Sequence, residues 1–376
     1  MNERTILNLP LENGQKFFFK KDYLNELSDE INVFLADSDS MKNIDFAKKV
    51  LFSHELQSNN QVEGYHDDVE IIDSIIKRKI RDIKDVEKQK RILNLYRGYK
   101  FILKYKQVNP KSLRKLYDVL SNGLLIPYDL KYMGELYRED VVYILSDVIS
   151  HDELDQGVDY HNIEKLMESY FAFYNEKIDS DIVMNYVRSQ ILHFYFVYIH
   201  PYFDVNGRTS RTMSMWYLIK NEAYPFIIFN RGIPLHCGNY YSEIKRSKIS
   251  HDLTGFLLYM LMEVKIELEK EYVVQSVDAS TNYHLTSEDF QTILYFLSIN
   301  GNRTALDFGT IYNHFIDKRK IKEIYEKMIV PLIDKDILKV TKYCKKAMYG
   351  DVSNIELELN KQNIDLNPQK IKRIKV

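Results

Sequence analysis

Apolar residues recur at spacings of three and four along most of the chain, and that period predicts helices. The helical stretches fall at 22–35, 43–60, 66–83, 87–106, 110–121, 161–177, 181–199, 208–222, 238–248 and 251–277. One of them, "DIVMNYVRSQILHFYFVYI" (181–199), is apolar nearly all the way round. A helix of that kind is buried on every side, so it is expected at the centre of the molecule. The period changes between 136 and 160: "LYREDVVYILS" reads as extended and "HDELDQGVDY" as a turn and return, together a β-hairpin. After residue 277 the texture shifts again. "SVDASTNYHL" reads as a linker, three helical runs follow, and two strand-like runs lie near 338–343 and 352–359. Three helices and a terminal hairpin are similar to a winged helix-turn-helix. The tail "KIKRIKV" is basic, so this part reads either as a DNA contact or as a small docking domain with a solvated tail.

Composition narrows the setting but not the chemistry. The chain has 376 residues and a formal net charge of -2, so no global basic field points to nucleic acid or membrane. The two cysteines, Cys237 and Cys344, lie far apart in sequence. No run approaches the ~18 apolar residues of a membrane span. A cytoplasmic protein without membrane partners is expected.

The chemistry concentrates in "YIHPYFDVNGRTSRTMSMW", residues 198 to 216. Pro201 ends the central helix, and Asn206 and Gly207 are expected to make a tight turn into the next one. Arg208 and Arg211 lie three apart, on one face of the next helix's first turn. A helix N-terminus is already electropositive, so two arginines there call for an anion. Turn amides, the Asn206 side chain and two guanidiniums aimed at one point make a phosphate site. Asp204 suits a magnesium ion, which takes few carboxylates and several phosphate oxygens. His200 titrates in the range of a general base. Each residue alone also has a structural reading: His200 as a core histidine, Asp204 as a helix cap, the arginines as surface ion pairs. The compact combination favours function.

This stretch resembles the signature of Fic-domain proteins, H-P-F-x-[DE]-G-N-G-R-x-x-R. The resemblance covers roughly residues 50 to 260 and implies a mainly α fold: a Fic-type helical core with a β-hairpin flap, here followed by the winged helix-turn-helix-like domain. It implies transfer of AMP from ATP to a Ser, Thr or Tyr hydroxyl of a protein, with Mg²⁺. By position, His200 resembles the base, Asp204 the magnesium ligand, Asn206, Gly207 and Arg208 the anion hole, and Arg211 the grip on the γ-phosphate. Tyr240 and Tyr241 resemble a Tyr-Tyr segment near the adenine. The segment 134–144 resembles the flap that binds the protein substrate by strand addition. Self-modification and a homodimer stay open as further partners. Two departures stand out. Tyr202 replaces Phe. Val205 replaces the first Gly of the anion loop, which either alters phosphate binding, if the loop needs positive φ there, or simply packs inward.

Upstream, "LQSNNQVEGYH" resembles the family's inhibitory motif, [ST]-x-x-x-E-[GN], through Glu63 and Gly64. Gly64 is expected to stop the helix with Glu63 in its last turn, and the resemblance pairs Glu63 with Arg211. Asn59 stands where Ser or Thr is expected, which predicts a helix held less firmly. The expected organisation is an N-terminal helical region (1–110) with its inhibitory segment near 58–64, a catalytic core (111–277) and a winged-helix-like domain with basic tail (284–376). Two other functions remain in view: a phosphodiesterase that removes AMP at the same site, and a non-catalytic nucleotide-binding regulator that contacts DNA.

Overall fold

The structure, a computed structural model, describes residues 3–36, 38, 41–50, 52, 54–67, 69–77, 86–144, 155–177 and 181–281, and the short segments 303–304, 322, 325–334, 338–342 and 356–359. It divides into two compact units, Met1–Glu267 and Leu268–Val376.

The first unit opens with an antiparallel hairpin of β1 (Arg4–Pro10) and β2 (Lys16–Lys20) that the helical period does not register. Its alternation is plain once seen: Leu7, Leu9, Phe17 and Phe19 face inward while Ile6 stays exposed. Then come α1 (Asp22–Ala36), α2 (Ile44–Val50), α3 (His54–Gln61), α4 (Val69–Ile76), α5 (Val86–Lys104), α6 (Pro110–Ser121) and the short α7 (Pro127–Lys131). Strands β3 (Tyr143–Ile144) and β4 (Asp155–Gln156) pair antiparallel, Tyr143 opposite Gln156. The expected hairpin is therefore present at its base, and its tip, 145–154, lies outside the described residues. The remaining helices are α8 (Ile163–Asn175), α9 (Ile182–Ile199), α10 (Asn206–Lys220), α11 (Cys237–Ser250) and α12 (Thr254–Thr281), the last of which belongs to the second unit from Leu268 on, with 3-10 turns over Tyr224–Arg231 and Ile233–His236.

Helix α9 is the central one. Asp181 caps its start by accepting the Met184 N–H at 2.7 Å, and Phe194, Tyr195 and Phe196 are all fully buried. Helix α10 packs along one side of it. The N-terminal hairpin covers another: Phe17 meets the rings of Phe194 and Tyr198 edge-on at 5.2 and 5.1 Å, and Tyr195 Oη donates to the Pro10 carbonyl at 2.7 Å. On α6 the "NPKS" start forms a reciprocal cap, Ser112 N–H to Asn109 Oδ1 and Asn109 N–H to Ser112 Oγ, each 2.9 Å.

Three expectations need correction. The helix expected over 43–60 is two helices, α2 and α3, because a continuous apolar period cannot reveal a short break. Asn206 and Gly207 are the first residues of α10 rather than a turn before it. The expected linker at 278–283 is helical as far as Thr281, since "SVDAST" holds no Gly or Pro to stop α12. In the second unit β6 (Leu338–Lys342) and β7 (Glu356–Leu359) pair antiparallel and β5 (Arg303–Thr304) joins the far side of β7. Most of the helices expected there lie outside the described residues.

Helix α3 enters the protein on a buried acid. Glu55 is fully buried; it accepts the Asn230 N–H at 3.3 Å and lies 3.6 Å from Arg231. Burial outweighs the pull of Arg231 and Asn230 and raises its pKa from 4.5 to about 8. Between those values the folded protein holds a proton that the unfolded chain has lost, so stability falls as pH climbs through that window. Glu55→Gln should flatten this dependence: its urea midpoint should change less between pH 6 and pH 9 than that of the natural chain. Equal slopes for the two chains would contradict a protonated Glu55.

Candidate functional site

The site forms where α9 hands the chain to α10. His200 ends α9 in the left-handed conformation, φ 53° and ψ 60°. A non-glycine residue rarely sits there, and such strain concentrates at functional positions. Its Nδ1–H donates to the Val197 carbonyl at 3.3 Å, which leaves Nε2 as the free acceptor. Burial is the main force lowering its pKa to about 4, with the Lys248 and Arg138 cations adding to it. The imidazole is therefore neutral at pH 7, the state a base requires.

The loop between the helices is braced from within. Asn206 Oδ1 accepts the Tyr202 N–H at 3.1 Å while its Nδ2 donates to the Tyr202 carbonyl at 2.8 Å. The Asn206 side chain therefore shapes the loop, and the residue itself lies in the first turn of α10. Tyr202 is fully buried and stacked 3.6 Å from Tyr117, so the substitution for Phe keeps an aromatic packing role. Asp204 is exposed, and one of its oxygens accepts the Val205 N–H at 2.6 Å.

Val205 has φ 62° and is 2% exposed. The loop therefore takes the left-handed conformation here, and the β-branched side chain still packs inward.

The two arginines differ in their partners. Arg208 is 5% exposed and its Nε has no hydrogen-bond partner. Arg211 is 1% exposed and pairs with Glu63 on the α3 side. Its Nη2 donates to Glu63 Oε1 at 2.5 Å and to the Asn59 carbonyl at 3.2 Å, and its Nε donates to Asn59 Oδ1 at 2.8 Å. Asn59 is in turn fixed by donating to Tyr99 Oη at 2.8 Å. In the Ser/Thr position of the motif, the Asn59 amide thus bridges Arg211 and Tyr99.

Glu63 lies just beyond α3, in a turn closed by Gly64 at φ 81°. Its carboxylate sits over the N-terminus of α10, so close that a β-carbon on Gly207 would collide with Oε1. Burial works to raise its pKa, but Arg211 and then Arg208 outweigh it and hold the carboxyl below its ordinary value. An anion therefore already occupies the electropositive mouth of α10.

The tyrosines of α11 contact neighbouring segments. Tyr240 is 1% exposed and shares a 2.7 Å hydrogen bond with His193 Nε2. Tyr241 is half-buried and donates to the Val62 carbonyl at 3.0 Å, one residue before Glu63. Periodicity and motif alike pass over two further residues, Tyr99 and Arg138. Tyr99 looks like an ordinary core aromatic. Arg138 looks like a strand charge, yet it is 2% exposed and donates to three carbonyls.

Val205→Gly should remove a strain of roughly 1–2 kcal/mol and lose side-chain burial worth about 1.5–3 kcal/mol. The net change in unfolding free energy should stay within about 1 kcal/mol of zero by urea titration, because the two effects oppose each other. A loss of ~3 kcal/mol would show that the left-handed conformation costs nothing here.

Residues 108–218 match the Fic/DOC family. A solved Fic family protein from Desulfovibrio desulfuricans G20 is similar in fold, with a TM-score of 0.54 at 16% identity over 90% of this chain and 95% of that one. Fic-1 from C. elegans gives a TM-score of 0.47 at 13% identity over 68% and 72% of the two chains. A Fic domain containing signaling protein from Bacteroides thetaiotaomicron gives 0.45 at 14% over 66% and 97%. From just ahead of α6 to the last turns of α10, this chain carries a domain of the Fic/DOC family.

Proposed function

We propose that the protein transfers AMP from ATP to a Ser, Thr or Tyr hydroxyl of a protein, and that Glu63 restrains it. Fic-domain proteins are generally transferases of nucleotide-derived groups onto proteins, which supports this class. The observation that carries it is the anion already seated at the mouth of α10. A carboxylate held there by Arg211 marks where a terminal phosphate would sit, and the unpartnered Nε of buried Arg208 points to a further phosphate contact.

In this reading the target hydroxyl oxygen attacks the α-phosphorus. A new O–P bond forms, the bond from that phosphorus to the bridging oxygen breaks, and pyrophosphate leaves. His200 Nε2 accepts the hydroxyl proton. Asp204 would hold magnesium: it is exposed at the head of α10, and its carboxylate has a second oxygen beyond the one used by Val205. A single carboxylate suits an ion that takes its other ligands from phosphate and water. Bound there, Mg²⁺ neutralises phosphate charge. The target is expected to lie along β3, where Tyr143 is 60% exposed and no third strand is present among the described residues.

Glu63 competes with the γ-phosphate for one guanidinium, and displaced phosphates miss in-line geometry at a cost of ~10² in rate. Glu63→Gly should therefore raise labelled-AMP incorporation by about that factor. Arg211→Ala should not mimic it, and the double variant should resemble Arg211→Ala. Equal rates for Glu63→Gly and the natural chain would remove the restraint. AMP release from a modified target by the natural chain, without transfer, would favour the phosphodiesterase instead.

His200→Ala in the Glu63→Gly chain should lose ~10²–10⁴ in transfer with ATP binding retained. With the His200 pKa near 4, the base stays neutral down to that value. The rate should hold between pH 6 and 8 and fall only as pH approaches 4. An acidic limb centred near 6.5 would show an unshifted, solvent-exposed base.

A further inference from the structure

We propose that Arg138 is the positioning residue for His200, clasping both arms of the β3–β4 hairpin to the backbone of the base; this rests on His200 acting as proposed above. The guanidinium is 2% exposed and spends its donors on carbonyls from three places. Nε donates to the His200 carbonyl at 2.8 Å, Nη1 to the Asp140 carbonyl at 2.5 Å and Nη2 to the Val158 carbonyl at 2.6 Å. Asp140 precedes β3 and Val158 follows β4, so one side chain closes the base of the hairpin and ties it to His200. The Arg138 main-chain N–H adds a fourth tie, to the Pro201 carbonyl at 3.0 Å.

The packing around this clasp leaves no slack. A β-carbon on Gly157 would lie 2.8 Å from Arg138 Nη2, 2.8 Å from Val142 Cγ1 and 3.1 Å from His200 Cβ. Glycine at 157 is what lets hairpin, guanidinium and base meet. Outside this knot, Lys248 of α11 pairs with Asp155 of β4 at 2.5 Å, and Glu12 accepts the Asp159 N–H at 2.7 Å.

An arginine buried among carbonyls is costly unless its fork geometry is needed. Here the fork spans three carbonyls that lysine, a point donor, cannot reach together. It holds a residue whose left-handed conformation is unfavourable on its own, with φ 53°. Its charge also disfavours protonation of the imidazole, though less than burial does. The hairpin edge and the base therefore form one mechanical unit, and a target strand laid on β3 is aligned with His200 through Arg138.

The test compares Arg138→Gln, Arg138→Lys and Gly157→Ala with the natural full-length chain by NMR of ring-labelled histidine, assigned through His200→Ala. In the natural chain His200 should stay neutral well below pH 6 with one tautomer. Arg138→Gln should raise its pKa, since the arginine charge disfavours the imidazolium. Arg138→Lys should leave that pKa near its natural value while shifting the His200 resonances. Gly157→Ala, which keeps the arginine, should shift the resonances and mix the tautomers. In the Glu63→Gly background all three should lower AMP transfer about tenfold or more, raise KM for the target and leave ATP affinity unchanged. His200 resonances and titration unmoved in folded Arg138→Gln and Gly157→Ala would overturn the proposal. Moved resonances in a chain that transfers nothing would keep the clasp and count against the transferase reading alone.

Discussion

A guanidinium that is almost entirely out of water must be answered, and the arrangement of the first unit follows from how Arg211 is answered. The cation arrives on α10, whose N-terminal amides add positive potential of their own. The answer comes from the short segment around α3, far away in sequence: a carboxylate from Glu63 and two oxygens from Asn59. Desolvation makes the cation expensive without an anion and makes it bind any well-placed anion tightly. On the proposed function, the same site is a lock when the anion is a side chain and a substrate cradle when it is a phosphate.

The two halves of the site are held by different means. On the phosphate side the fixing is ionic and exchangeable, since Glu63 remains about a quarter exposed and sits on a turn. On the base side it is made of hydrogen bonds to carbonyls, through Arg138 and through Asn206, with no exchangeable charge. If Glu63 is an inhibitor and His200 the base, as proposed, the site must release one and keep the other, and it needs that difference. Tyr241 and Asn59 belong to the exchangeable side: both grip the segment that delivers Glu63, and Tyr241 lies on the helix expected to meet the nucleotide base.

The long helices and the central position of α9 were legible in the apolar period, because burial on one face or all round leaves a pattern that local sequence carries. The ordered run from His200 to Arg211 likewise carried the site, since its members lie within one turn-and-helix. The N-terminal hairpin was overlooked although Leu7, Leu9, Phe17 and Phe19 alternate, because two short strands leave only four positions of signal. The loop-bracing contacts of Asn206 are not legible locally, because an amide side chain serves a loop or a ligand equally well. The motif raised the question of positive φ at Val205, but a β-branched residue there could not answer it. Arg138 could not be found at all: its meaning lies in three carbonyls from separate parts of the chain. Glu63 and Arg211, 148 positions apart, were joined only through the family resemblance.

The central claim is that Glu63 and the terminal phosphate of ATP compete for Arg211. Calorimetric titration of ATP and of ADP, each with Mg²⁺, into the natural chain and into Glu63→Gly tests it directly, because only ATP carries the contested phosphate. A charge-assisted contact of about 1.5–3 kcal/mol predicts that Glu63→Gly raises the preference for ATP over ADP about tenfold or more, with ADP affinity nearly unchanged. The same ATP-to-ADP ratio in both chains would contradict the account.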